Sequence, residues 1–151
     1  MRGYVRAVPI SIDLSASPLV IHRALGDVTR EDVAAYIRHH DHVLAQGERV
    51  GVMLIVPKGS KIDRSMVEMH AAWMRERRGT LGERWVGLAL VLEAVAARFM
   101  LTSFLLVSRM PIPYRVCDSY GEGALFLAER FLAEGIPLPE PLRPYGLASS
   151  G

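Results

Sequence analysis

Cysteine is all but missing. Cys117 stands alone in a chain of 151 residues, which leaves no disulfide framework and no thiolate metal site to build. A reduced, cytoplasmic setting is therefore the expectation, and the opening Met1-Arg2-Gly3-Tyr4 lacks the apolar core of a secretory signal. An excess of one charge is missing too. The formal charge is +2, and the only tight basic run, Arg75, Arg77 and Arg78, is too small for a nucleic-acid footprint. Those arginines read as the solvated end of a helix, where cations favour the dipole. Catalytic signatures are also absent. No serine lies in a GxSxG turn, and Lys58-Gly59-Ser60-Lys61 lacks the preceding glycine spacing of a phosphate loop. No cofactor is expected.

Only one long apolar run exists. Segment 86–107 is long enough to cross a bilayer, but Glu93 and Arg98 interrupt it, and both are costly at that depth. Its first half is rich in strand formers and its second half reads as helix, so a buried strand followed by a buried helix is expected, with no membrane span. Half the residues are apolar against 23% charged, a globular balance, and the length suits one core. With no internal repeat, the chain reads as a single domain over 1–136 followed by a Pro-rich tail over 137–151.

Along the chain, 5–14 and 19–22 read as strands joined by the turn Ser15-Ala16-Ser17-Pro18, a plausible hairpin. Thr29 is the natural N-cap of a helix with Val33, Tyr36, Ile37, His40, Val43 and Leu44 at helical spacing and Gly47 as its stop. The unbroken run 50–56 suits a strand covered on both faces. Ser60 with Asp63 has the shape of a capping box for a helix passing through Met66, His70, Trp73 and Met74 to Gly79. A strand over 85–92, a helix over 94–108 and a strand over 114–117 follow. Ser119 with Glu122 caps a last helix, closed by Gly135. This order means an α/β fold: a mixed, largely parallel sheet of four to five strands with helices packed on it.

That order, with Leu25-Gly26-Asp27-Val28-Thr29-Arg30-Glu31-Asp32 opening the first helix, Val52-Met53-Leu54-Ile55-Val56 as the central strand and Pro113-Tyr114-Arg115-Val116-Cys117 before the last helix, resembles the SpoIIAA-like branch of the STAS domains over about 19–135. The resemblance implies protein–protein signalling, as in some bacterial members, or association with lipids and small ligands, as in the distantly similar CRAL-TRIO domains. In STAS anti-sigma antagonists a serine at the start of the helix after the central strand accepts a phosphoryl group. Ser65 falls at that place, after Asp63, although Arg64 and Met66 replace the small residues that usually flank it. A phosphate in a first helical turn would meet unpaired N–H groups. Ordinary capping is the competing account of Ser60, Asp63 and Ser65.

Other constellations carry less. His39 and His42 share a helical face, but two ligands do not make a metal site, and His40 lies on the apolar stripe. Cys117 ends a strand and needs His22 or His70 brought to it by the fold before it is a nucleophile. The helix over 94–108 is the most informative feature. Arg98 and Thr102 give it a narrow polar stripe, while Phe99, Phe104, Leu105 and their neighbours surround it with apolar side chains. It must be covered by its own fold, by a second copy, or by a ligand or partner. Met66 and Trp73 are expected to share that surface, and methionines adapt to varied apolar occupants. The leading expectation is a non-enzymatic interaction module, a homodimer docking a protein partner in signalling. The alternative is a carrier or sensor of a lipid or other apolar small molecule, with Arg98 at its headgroup. A small hydrolase using Cys117 or a serine ranks third.

Overall fold

The computed structural model describes residues 10–149. Its most apolar strands, β3 (Val50–Val56) and β4 (Trp85–Leu92), lie in the interior of the sheet, and all eight residues of β4 are buried. Such unbroken apolar runs belong where helices cover both faces. The five strands follow chain order: β1 (Ile10–Asp13), β2 (Leu19–Ala24), β3, β4 and β5 (Tyr114–Cys117). β1 pairs antiparallel with β2 in the expected hairpin, and the remaining neighbours are parallel. The part of the first expected strand before residue 10 lies outside the described residues.

Each parallel crossover steps one strand in the same direction. Right-handed connections must then all pass over the same face. Helices α1 (Arg30–Ala45), α2 (Arg64–Glu76), α3 (Arg78–Arg84) and α4 (Val95–Val107) accordingly share one side, around Tyr36, Leu44, Trp73, Leu81 and Leu105. The chain reaches the opposite side only after the last strand. There α5 (Tyr120–Ala133) buries Phe126, Leu127 and Phe131 against Met53, Ala89 and Val91. This contact is close: a Cβ on Gly51 would sit 2.7 Å from Phe131 Cε2, and one on Gly123 would sit 2.9 Å from Val91 Cγ2.

Local chemistry explains most boundaries. Thr29 and Asp32 form a reciprocal capping box, and Gly47, at φ +76°, ends the turn after α1. Ser119 caps α5 by accepting from the Glu122 backbone N–H. Three expectations are corrected. The second main helix starts at Arg64, not near Ser60, because the Asp63 side chain accepts from Met66 N–H and is itself the N-cap. That helix breaks at Arg77, and α3 runs on through Gly79, which does not stop it. The Pro-rich segment expected as a tail forms a 3-10 turn (Glu140–Leu142) and helix α6 (Arg143–Ser149); Leu142 is fully buried in the α5-side core. Burying one leucine contributes about 1.5–3 kcal/mol, and Ile136, Leu138 and Tyr145 pack against the same core beside it. No helix among the described residues is long and apolar enough to cross a membrane.

Candidate functional site

α4 is held differently from the other long helices. The side chains of Thr29, Asp63 and Ser119 cap α1, α2 and α5, whereas Ala94 supplies no cap for α4. α4 buries only Leu105, while α5 buries six residues. Its inner side, with Ala97, Leu101, Phe104 and Leu105, roofs an apolar cavity of about 80 Å³. The sheet supplies the floor through Leu54, Leu88 and Leu90; α1 and α2 supply the walls. Met66, Met74, Met100 and Met110 line the space, so its shape can adjust at little cost in rotamer strain.

One corner of the cavity is polar. Tyr36 and His70 line it, with the Tyr36 hydroxyl 3.2 Å from His70 Nε2. Behind Tyr36 lies a cluster that the sequence did not announce as such. His22 of β2 and His40 of α1 are both fully buried, and their Nε2 atoms are 2.7 Å apart. One ring must donate and the other accept, so the two neutral imidazoles hold opposite tautomers at that contact. Tyr36 packs on both rings at 4.7 and 4.5 Å, and Trp85 packs on His40 at 5.0 Å. Burial is the main force keeping these rings neutral. It lowers His22 to about 3, aided by repulsion from His39 and His70, and lowers His40 to about 2, aided by His22, His39 and His70. Burial also lowers His70 to about 4. Asp41 closes the cluster, accepting from Trp73 Nε1 at 2.9 Å and from Arg77 Nε and Nη2 at 3.0 and 3.3 Å. This fork ties α1 to the end of α2 and takes Arg77 out of the basic run.

The residues singled out in the sequence separate into several places. Met66, Phe104 and Leu105 do line the cavity. Trp73 is no surface residue; it is buried in the histidine cluster because its indole N–H finds Asp41 there. Arg98 does not face the cavity either. Its Nη1 donates to the Leu92 and Glu93 carbonyls and pins α4 to the end of β4. Phe99 and Thr102 lie on the outer side, exposed. Ser65 is exposed in the first turn of α2, where its hydroxyl donates to Asp63 Oδ1 at 2.5 Å; that bond holds the Asp63 carboxyl below its ordinary range. Cys117 points into the α5-side core, while His22 and His70 belong to the other face, so the fold brings neither to it. Burial raises its thiol to about 11, which keeps it protonated. His40 is buried as its stripe position implied, and His42 is exposed. Among the described residues no group of three or more His, Cys, Asp or Glu is placed to hold a metal ion.

No family model matches the chain, and no curated protein matches it. A solved structure does: an uncharacterized protein of the DUF3478 family from Shewanella loihica PV-4, described as having a SpoIIAA-like fold. The two share 13% identity with a TM-score of 0.50, over 84% of this chain and 98% of that one. The chain has a SpoIIAA-like fold. At that identity the likeness concerns the SpoIIAA-like backbone alone, and the cavity, the histidine cluster and the outer face of α4 rest on this chain's own residues.

Proposed function

We propose that the protein is a non-catalytic binding domain that holds an apolar small molecule beneath α4. The observation that carries this reading is the cavity, walled by aliphatic and methionine side chains and closed by a helix with no capping side chain. A dry apolar void of roughly 150 Å³ takes up benzene. A space of about 80 Å³ lined by four methionines admits a slender chain after modest rotamer changes. The test is a titration of the delipidated protein with the neutral fluorophore N-phenylnaphthylamine, beside native mass spectrometry of the protein as purified. Saturable binding is expected, weakened at least about tenfold by filling the cavity through Ala97→Phe or Leu101→Trp, with the far-UV circular dichroism unchanged. Equal binding by folded, filled variants would remove the reading.

A second reading is self-association through α4, favoured by its outer face. Val95, Phe99, Leu106 and Val107 are 72%, 75%, 82% and 84% exposed, an apolar stripe of the kind that marks interaction surfaces. Light scattering distinguishes the two: a dimer that Phe99→Asp converts to a monomer supports this reading, and a strict monomer at high concentration removes it. Signalling through Ser65 would require a partner that reads the first turn of α2; a phosphomimetic Ser65→Glu that changes no association would leave that role without support.

A further inference from the structure

The apolar cavity does not end at α4. A groove of about 190 Å³ adjoins it, and the two share Ala71, Met74 and Met110 as common walls. Arg75 from the end of α2, Arg78 from the start of α3 and Arg109 from the loop after α4 all line this groove. Among the described residues no carboxylate lines it. Arg49, Arg64, Arg77 and Arg130 are in ion pairs with Asp or Glu side chains. The side chains of Arg75, Arg78 and Arg109 make no ion pair or hydrogen bond among the described residues, and all three residues are exposed. Like charges brought to one groove repel each other, and an anion placed among them relieves that repulsion while accepting several charge-assisted hydrogen bonds.

We infer that the ligand is a single-chain anionic amphiphile, its hydrocarbon chain in the cavity beneath α4 and its carboxylate head in the Arg75–Arg78–Arg109 groove. This rests on the binding-domain reading and deepens it. The apolar walls select the chain, and the guanidinium forks select the head, because arginine matches a carboxylate with paired donors. Two chains would not fit a cavity of this size. The shared methionines at positions 74 and 110 form the passage between the two ends.

Isothermal titration of the delipidated full chain with decanoate, decanol and inorganic phosphate tests this. Decanoate is expected to bind at least about tenfold more tightly than decanol at low salt. The double variant Arg75→Gln/Arg109→Gln is expected to lose most of that preference while leaving the decanol affinity within about twofold, and Arg109→Lys is expected to retain part of it. All three positions are exposed, so the substitutions spare the core. Equal affinities for decanoate and decanol in the wild type would overturn the headgroup site and leave the cavity reading standing. Inorganic phosphate binding as tightly as decanoate would overturn the amphiphile and make the groove a separate anion site. Binding of neither decanoate nor decanol would overturn both.

Discussion

The two faces of the sheet solve the same problem in opposite ways. On the α5 side the backbones approach closely over Gly51 and Gly123, Phe131 and Leu127 are fully buried, and among the described residues the only buried titratable side chain in that core is the Cys117 thiol. On the α1–α4 side the buried His22 and His40 rings and the half-buried His39 and His70 gather near Tyr36 and the two tryptophans, and α4 covers a space that its own side chains do not fill. One face is closely packed, and the other sets a buried polar cluster beside an apolar space that its side chains leave unfilled. Packing of the first kind stabilises; room of the second kind is the space that the proposed ligand would fill.

Acid should break that comparison most sharply. His22 and His40 are neutral in the fold, with values of about 3 and 2 against about 6.5 when unfolded. Below pH 6.5 the unfolded chain therefore binds protons that the folded chain refuses, so stability is fully present above about pH 6.5 and falls as pH drops. The slope approaches about 1.4 kcal/mol per pH unit for each ring, over the window from about 6 down to about 3. Trp73 and Trp85 both sit in this cluster, so tryptophan fluorescence in urea titrations at pH 7.5 and pH 5 reads it directly. Equal midpoints at the two pH values would show that the rings are not kept neutral.

Core truncation comes next in size. Phe131→Ala, on the closed face, should cost about 3–5 kcal/mol by denaturant unfolding, whereas Leu105→Ala, which enlarges a space already present, should fall at or below the roughly 2 kcal/mol lower end for such changes. Leu105→Ala costing more than Phe131→Ala would invert the contrast between the faces. Gly51→Ala is expected to cost about 1–3 kcal/mol, since its methyl would press on the Phe131 ring, while Gly59→Ala, with open space around it, should be near neutral. Thermal melts of the pair suffice, and equal melting temperatures would contradict the close approach. Leu106→Asp on the outer face should change stability by no more than about 0.5 kcal/mol, and a large loss in a monomer would mean that this face is covered within the fold.

Much of this was legible residue by residue. β4 and β5 were readable to their ends because the uninterrupted apolar run of β4 meets Glu93, and the short stretch of β5 is bounded by Pro113 and Asp118. The caps at Thr29 and Ser119 were readable because an N-cap is a matter of four adjacent residues. The start of α2 was misplaced by the same reasoning: Ser60 and Asp63 are both good caps, and the choice depends on which side chain reaches a free N–H. The histidine cluster was half visible, since His40 and His70 each lie on an apolar helical stripe. Nothing local says that β2 delivers His22 to meet His40 across eighteen residues.

The sequence by itself determined the element order and the mixed, largely parallel character of the sheet, because periodicity and capping act over a few residues at a time. It also marked α4 as carrying more apolar surface than one face can bury. Only the tertiary structure decided how that surplus divides, with Phe104 and Leu105 turned over a cavity and Phe99 and Leu106 turned outward. It likewise decided that Arg75, Arg78 and Arg109 line one groove while Arg77 leaves them for Asp41. Such groupings depend on how helices distant in the chain are docked on a common sheet, and no short stretch of sequence contains that information.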